Sequence, residues 1–247
     1  MTDRESLLAS VLADPADDTT RLVLADFFRE ADDPETRARG QFLWGGVTAG
    51  SFREDELIED RLYYTAQAEI AAVASAGFPA EWLAAIGIGP NPLSKRDWVW
   101  DCTRDRVTVR IGTVVGVYLR GMLSELSLAL DEWYQVATAA MESWPIERVA
   151  ITSVPGVSFH IAKVEVGWCL SARLKLPDRR VPLTGSIVPA GVSPAPTLVT
   201  GPADWRVEEF FADRTALVNA VGSASAILVA SLREVAGDRW PTPPRRR

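Results

Sequence analysis

The sequence predicts an α+β protein, with an N-terminal helical hairpin and helical unit, then a mixed sheet holding one strand–helix–strand unit, then a long C-terminal helix. Three observations carry that prediction. Up to about Ala76, apolar residues recur at intervals of three and four, the spacing of one helix face. After Asp97, the stretches WVWDC, RVTVRI, TVVGVYL and LSELSLAL are rich in β-branched and aromatic residues and partly alternate, as strands do. From Val207 to Val235 the three–four spacing returns.

Taken in order, Thr2 and Glu5 have the spacing of a capping box, and Leu7, Leu8, Val11 and Leu12 follow as a short amphipathic helix. Pro15 cannot continue it, while Asp17 or Asp18 can cap a second helix through RLVLADFFREA, which completes the hairpin. A third helical stripe runs from Glu54 to about Ala76, stopped by Gly77 and Pro79, and a short helical turn carries Glu81, Trp82 and Leu83 before the loop GIGPNP. LSELSLAL, DEWYQVATAAMESW and IERVAIT read as strand, helix and parallel strand, with Asp131 as cap and Pro145 as stop. That single unit is leucine-rich-repeat-like in length, such repeats taking roughly 20 to 29 residues. SFHIAKVEVGWCLSARLKL supplies two more strands. Val207, Phe210, Leu217, Val221, Ala224, Leu228 and Val235 then mark a helix capped by Asp204 and ended by Gly237, about 30 residues and roughly 45 Å long. The chain accordingly divides into a helical region 1–90, a mixed α+β region 97–176, a Pro/Gly-rich connection 177–203, the C-terminal helix 204–237 and an extended basic tail 238–247.

Composition narrows the function. At 47% hydrophobic and 24% charged, the chain matches a folded globular protein. A net charge of -7 and a pI near 4.9 argue against a broad phosphate-neutralising face, so no nucleic acid partner is expected. The acidic start lacks the basic n-region of a signal peptide, and no apolar stretch approaches the roughly 18 residues of a membrane span, so a cytoplasmic protein with no membrane partner is expected. Cys102 and Cys169 form no CxxC and read as reduced thiols. Neither a metal site nor a cofactor is expected, because no GxxxxGK[ST], HExxH, GxSxG or EF-hand loop occurs and GIGPNP lacks the third glycine of a dinucleotide loop.

The stretch LADPADDTTRLVLADFFREADDPETRARGQFL resembles the bacterial repeat-companion domain. Asp14, Pro15, Asp17, Asp18, Arg21, Leu22, Val23, Ala25, Asp26, Asp33, Pro34, Gly40 and Phe42 fall on that family's characteristic positions. Leu119-Arg120-Gly121-Met122-Leu123 is similar to the RGFV turn that opens its strand–helix–strand segment. The resemblance covers residues 5–46 well and 114–152 loosely. Leu24 and Phe27 stand where the family has Tyr and Trp, Gln41 where it has Glu, and Gly46 where it has Gln. The family commonly accompanies leucine-rich repeats and has no established activity, so the resemblance implies a helical motif and a non-catalytic module.

Asp26 lies inside an apolar run, and a buried carboxylate needs partners or an altered pKa. Arg29 at i+3, Arg37 or Arg39, or the backbone of the DDP turn are the expected donors, which would pin that turn to the helix. The functional alternative makes Asp26 the centre of a carboxylate-based enzyme site. His160, the single histidine, could pair with Cys169 as base and nucleophile, but its strand-like setting, FHIAKVEV, reads first as packing. Nine tryptophans, among them Trp98, Trp100, Trp133 and Trp144, read as core before interface. Pro241, Pro244 and Arg246 give a short PxxPxR pattern. The expected function is protein–protein contact through the hairpin or the C-terminal helix, with an unidentified protein partner. A self-assembling component, paired with its own copies through the C-terminal helix, is the third reading.

Overall fold

A computed structural model describes residues 2–52, 60–89, 98–176, 199–201 and 204–241. The protein is α+β, and it divides into two compact units: Met1–Leu126 with Ser143–Pro145, and Ser127–Glu142 with Ile146–Arg247. The expected boundary near residue 97 is therefore corrected. The strands between Trp98 and Leu126 belong with the helices before them, the helix Phe78–Ala85 packing against the strand Arg106–Ile111.

Five helices open the first unit: α1 (Asp3–Ala13), α2 (Asp18–Arg29), α3 (Pro34–Ser51), α4 (Arg61–Ala76) and α5 (Phe78–Ala85). The Thr2–Glu5 capping box forms in full. Asp17, Asp33 and Asp60 each accept a backbone N–H at the start of α2, α3 and α4, and Gly77, at φ 92°, ends α4. The part of the expected third helix before Asp60, and the second half of GIGPNP, lie outside the described residues. Four strands follow, β1 (Trp98–Thr103), β2 (Arg106–Ile111), β3 (Val114–Leu119) and β4 (Met122–Leu128), arranged in sequence order. Arg120 and Gly121 join β3 to β4 with φ of 50° and 75°, the two left-handed residues that a tight two-residue hairpin uses.

Helix α3 was not read from the sequence, and its glycines explain both the omission and the helix. Gly40, Gly45, Gly46 and Gly50 lower helix propensity by about 1 kcal/mol each relative to alanine. Tertiary packing compensates. A Cβ on Gly40 would stand 2.6 Å from Arg29 N and 2.7 Å from Ala25 O of α2, and one on Gly45 would stand 2.9 Å from Ala66 O of α4. On Gly46 it would stand 2.5 Å from the carbonyl carbon of Arg120 and nearer still to Gly121 N. Helix α3 is thus the element against which α2, α4 and the β3–β4 turn all close.

In the second unit, the end of β4 leads into α6 (Leu130–Ser143) and β5 (Arg148–Ile151), the strand–helix–strand step that makes the sheet mixed. Asp131 does not cap α6, because the helix begins one residue earlier. Glu132 instead accepts from Ala129 N–H (2.8 Å), and Ser153 Oγ accepts from Leu130 N–H (3.0 Å). Strands β6 (Val157–Val164), β7 (Gly167–Lys175), β8 (Val199–Gly201) and β9 (Asp204–Phe211) add in the order β6-β7-β9-β8, all antiparallel. The last helix, α7, spans Arg214–Ala236.

Two corrections concern this end of the chain. The expected helix from Asp204 is strand β9 as far as Phe211, where Trp205 and Val207 face the core and β7 supplies a ladder; Asp213, not Asp204, caps α7. A short strand, β8, stands where only irregular connection was expected, although most of 177–203 lies outside the described residues, as does PxxPxR beyond Pro241. By length and composition α7 with the 3-10 turn after it is also apolar enough to cross a membrane, with mean hydropathy 1.7 over its best window, contrary to the sequence reading. Its Leu217, Val221, Ala224, Leu228 and Leu232 are buried, and the helix packs on β7 and β9 of its own unit. Trp133 Nε1 donates to the buried Ser225 Oγ across 3.1 Å.

Two glycine substitutions should move stability in opposite directions. Gly46→Ala overpacks a backbone contact and is expected to cost about 3 kcal/mol or more. Gly222→Ala in α7 meets only Tyr134 O at 3.7 Å and is expected to stabilise by roughly 0.5–1 kcal/mol. Urea denaturation of both variants beside the wild type checks the pair, and equal effects would refute the close-contact account of α3.

Candidate functional site

The motif residues of the N-terminal stretch fall into three groups. Asp17 and Asp33 are caps: Asp17 accepts from Thr19 N (2.9 Å) and from Thr20 Oγ1, and Asp33 accepts from Thr36 N (2.8 Å), with Pro34 filling the first turn of α3. Gly40 and Phe42 serve the α3 interior, Gly40 against α2 and Phe42 edge-on to Trp82 and Tyr118, with centroids 5.6 and 5.5 Å apart. Asp18 and Arg21 join the third group, which contains Arg120 and Gly121. Arg120 Nη1 lies 2.7 Å from Asp18 Oδ2 while its Nε lies 3.5 Å from Asp105 Oδ2, and the buried Arg21 reaches Asp18 Oδ1 at 3.9 Å. A Cβ on Gly121 would stand 2.8 Å from Phe42 O, so the turn sits directly on α3. The two stretches that carry the family resemblance therefore meet, Arg120 bridging from the hairpin to the start of α2.

Asp26 is not part of this meeting point. Its side chain is 67% exposed and pairs only with Arg29, at 3.6 Å, among the described residues. The expectation that it is buried and pins the DDP turn is corrected: Leu22, Val23 and Phe27 are apolar neighbours in sequence, but α2 turns Val23, Asp26 and Phe27 outward and Arg21, Leu24, Ala25 and Phe28 inward.

A second cluster had no sequence signal. Phe42, Trp82, Tyr118 and Trp144 form an aromatic box with successive centroids 5.5–6.2 Å apart, and Tyr118 Oη donates to Pro79 O (2.7 Å). The Arg39 guanidinium lies over Trp144 at 4.3 Å and over Phe28 at 5.2 Å. Burial lowers the Arg39 pKa to about 10, and the neighbouring Arg4 acts in the same direction. Burial also pushes the Tyr118 phenol up. Residues so far apart in the chain give no common spacing to read, although an arginine three residues before Phe42 on one helix was visible.

In the second unit, β6 and β7 place His160 opposite Ser171 and Cys169 opposite Ala162, diagonal neighbours on one sheet face. Burial and then Glu208 raise the Cys169 pKa, the reverse of an activated nucleophile. Cys102 is likewise pushed up, to about 11, by burial. No group of His, Cys, Asp and Glu among the described residues has a metal-binding arrangement. Arg173 holds Asp204 through two N–H groups and keeps its carboxyl below the usual range.

No protein-family model, curated protein or solved structure matches this chain.

The Asp18–Arg120 contact should show a coupling of about 1 kcal/mol in a double-mutant cycle of Asp18→Asn and Arg120→Met, since both side chains keep about a third of their exposure. Asp26→Asn, by contrast, should change unfolding free energy by no more than about 0.5 kcal/mol. Acid adds a further test. The Thr20 and Thr36 hydrogen bonds hold the Asp17 and Asp33 carboxyls below their ordinary value of 3.8, so the folded state binds fewer protons there than the unfolded one. That stability is present above the ordinary value and is lost as pH falls through the lowered ones. Melting temperature should hold above about pH 5 and drop below about pH 4, less steeply in Asp33→Asn, as thermal melts across pH 2.5 to 6 would record.

Proposed function

We propose that this chain is a non-catalytic protein–protein interaction module of the repeat-companion type, and that its first unit meets a protein partner through the outer face of α2. The observation that carries the reading is the outward pair Val23 and Phe27, which are 50% and 38% exposed on a helix whose opposite face is fully buried. Exposed aliphatic and aromatic side chains flanking a charged residue on a rigid helix make a small apolar anchor with a polar rim, the composition of a docking surface.

The support is a matter of rigidity as well as composition. Helix α2 is capped at its start by Asp17, clasped there by Arg120 through Asp18, and pressed along its length against Gly40 of α3. A surface held in one conformation loses little entropy on binding. In this reading the motif residues act by fixing α2 in place, and Asp26 acts as the polar centre of the face.

Tagged wild-type protein purified from its native host beside Val23→Lys and Phe27→Glu tests the proposal. Both variants should melt within about 3 °C of the wild type, because the altered side chains face solvent, and both should lose at least tenfold of a co-purifying protein that the wild type retains. Undiminished recovery of that protein by both variants would refute the α2 face. A small molecule consumed by the wild type and spared by Asp26→Asn would instead establish the carboxylate-enzyme reading.

A further inference from the structure

Arg39 is a buried cation with no ion-pair partner among the described residues, although Glu35, one turn earlier on α3, attracts it without forming a salt bridge. Its Nε and Nη2 have no solvent contact and no hydrogen-bond acceptor, and no carboxylate lies within 4 Å of the guanidinium among the described residues. Its stacking on Phe28 and Trp144 satisfies the flat faces of the group and leaves the edge unsatisfied. An unpaired buried charge costs several kcal/mol, and leaving its N–H groups unbonded adds to that. Methionine would fill the same space without that cost.

The two unbonded atoms are informative. Nε and Nη2 form one side of the guanidinium plane, the fork that grips two oxygens of a single oxyanion. Arg4, exposed on α1, places a second guanidinium 5.8 Å from the centroid of the same Phe28 ring. Burial is the main cause of the lowered Arg39 pKa, and the like charge of Arg4 adds to it while Glu35 opposes it. Trp82, whose ring abuts that of Trp144 at 6.2 Å, adds a third buried donor, Nε1, with no acceptor. On a chain of net charge -7, this is a local excess of positive charge, two guanidiniums beside the one carboxylate of Glu35, with unbonded donors among the described residues.

We infer that Arg39 and Arg4, stacked on Phe28, form a binding subsite for a phosphate group, with the Nε–Nη2 fork of Arg39 taking two of its oxygens. A phosphate dianion matches the pair in charge, where a single carboxylate neutralises only one guanidinium. Arg39 as a residue keeps part of its surface in solvent and Arg4 is exposed, so reaching the buried Nε–Nη2 fork requires the Arg39 side chain to shift toward solvent when the anion binds. The inference does not depend on the α2 docking surface, because it concerns different residues and is tested on the isolated chain.

The test is calorimetric titration of the full chain with inorganic phosphate, with chloride and acetate at matched ionic strength, alongside thermal melts. Wild-type protein should bind one phosphate, and its melting temperature should rise by about 4 °C at roughly ten times the Kd. Arg39→Met should melt at or above the wild type and show no phosphate response. Arg39→Lys keeps the charge without the fork, so it should bind at least tenfold more weakly, which covers the case in which Arg39→Met fails to fold. Arg4→Ala should weaken binding about threefold to tenfold. O-phosphoserine titrated in parallel separates the sources: tighter binding than inorganic phosphate assigns the subsite to a phosphorylated side chain, equal or weaker binding to a free phosphate. The inference is overturned if phosphate acts no more strongly than chloride, if acetate matches phosphate, or if Arg39→Lys binds phosphate as the wild type does.

Discussion

Backbone lies against backbone where α3 meets the β3–β4 turn, and nothing larger than hydrogen fits between Gly46 and Gly121. That contact sets the depth at which the hairpin seats, and the depth decides what its neighbours can reach. At this distance Arg120 extends to Asp18 and Asp105, Tyr118 enters the aromatic box beside Phe42, and Gly121 rests on the α3 backbone. A side chain at either glycine would move the hairpin outward and open all three contacts together. Glycine at position 46 then has a local cause: the space a side chain would take is occupied by the neighbouring turn.

Charge is handled in two ways within the first unit. Arg120 is surrounded by carboxylates and partly exposed, so its pairing costs little desolvation and holds two elements in register. Arg39 packs against rings and forms no ion pair among the described residues, and its pKa falls chiefly through burial. One arginine ties the hairpin to α2; the other leaves two of its N–H positions unbonded among the described residues. A residue of the second kind is where a ligand acts with most effect, since its binding relieves a penalty already present in the unbound protein.

The sequence was most legible where chemistry is local. Thr2 with Glu5, Asp17, Gly77, Pro145 and Gly237 each act within a few positions of themselves, and helix ends follow from them. Failure came where a distant partner decides. Four glycines argue against α3 until α2, α4 and the turn are present. Strand β9 contains Val207 and Phe210 at helical spacing, yet its ladder with β7 and the alternation of Trp205 and Val207 prevail. For the site, the sequence singles out the motif residues but not their surroundings, and Asp26 lies on the outer face of α2 because an apolar run does not by itself imply burial. The setting of Arg39 is not legible in the sequence, because Phe28 and Trp144, which pack on it, lie far apart along the chain.

The glycine content of α3 also bears on the order of events in folding. A helix so poor in intrinsic propensity has little population on its own, and its nucleation is costlier than its propagation. Its stability arrives with its neighbours, and one of them, the Arg120–Gly121 turn, lies beyond α4, α5 and three strands. The centre of the first unit consequently cannot consolidate as a local event. Loop closure over that span comes before the reward of the contact, so the hairpin has to reach α3 before α3 is fully helical. The residues that make the finished packing tightest are the same ones that make its assembly non-local.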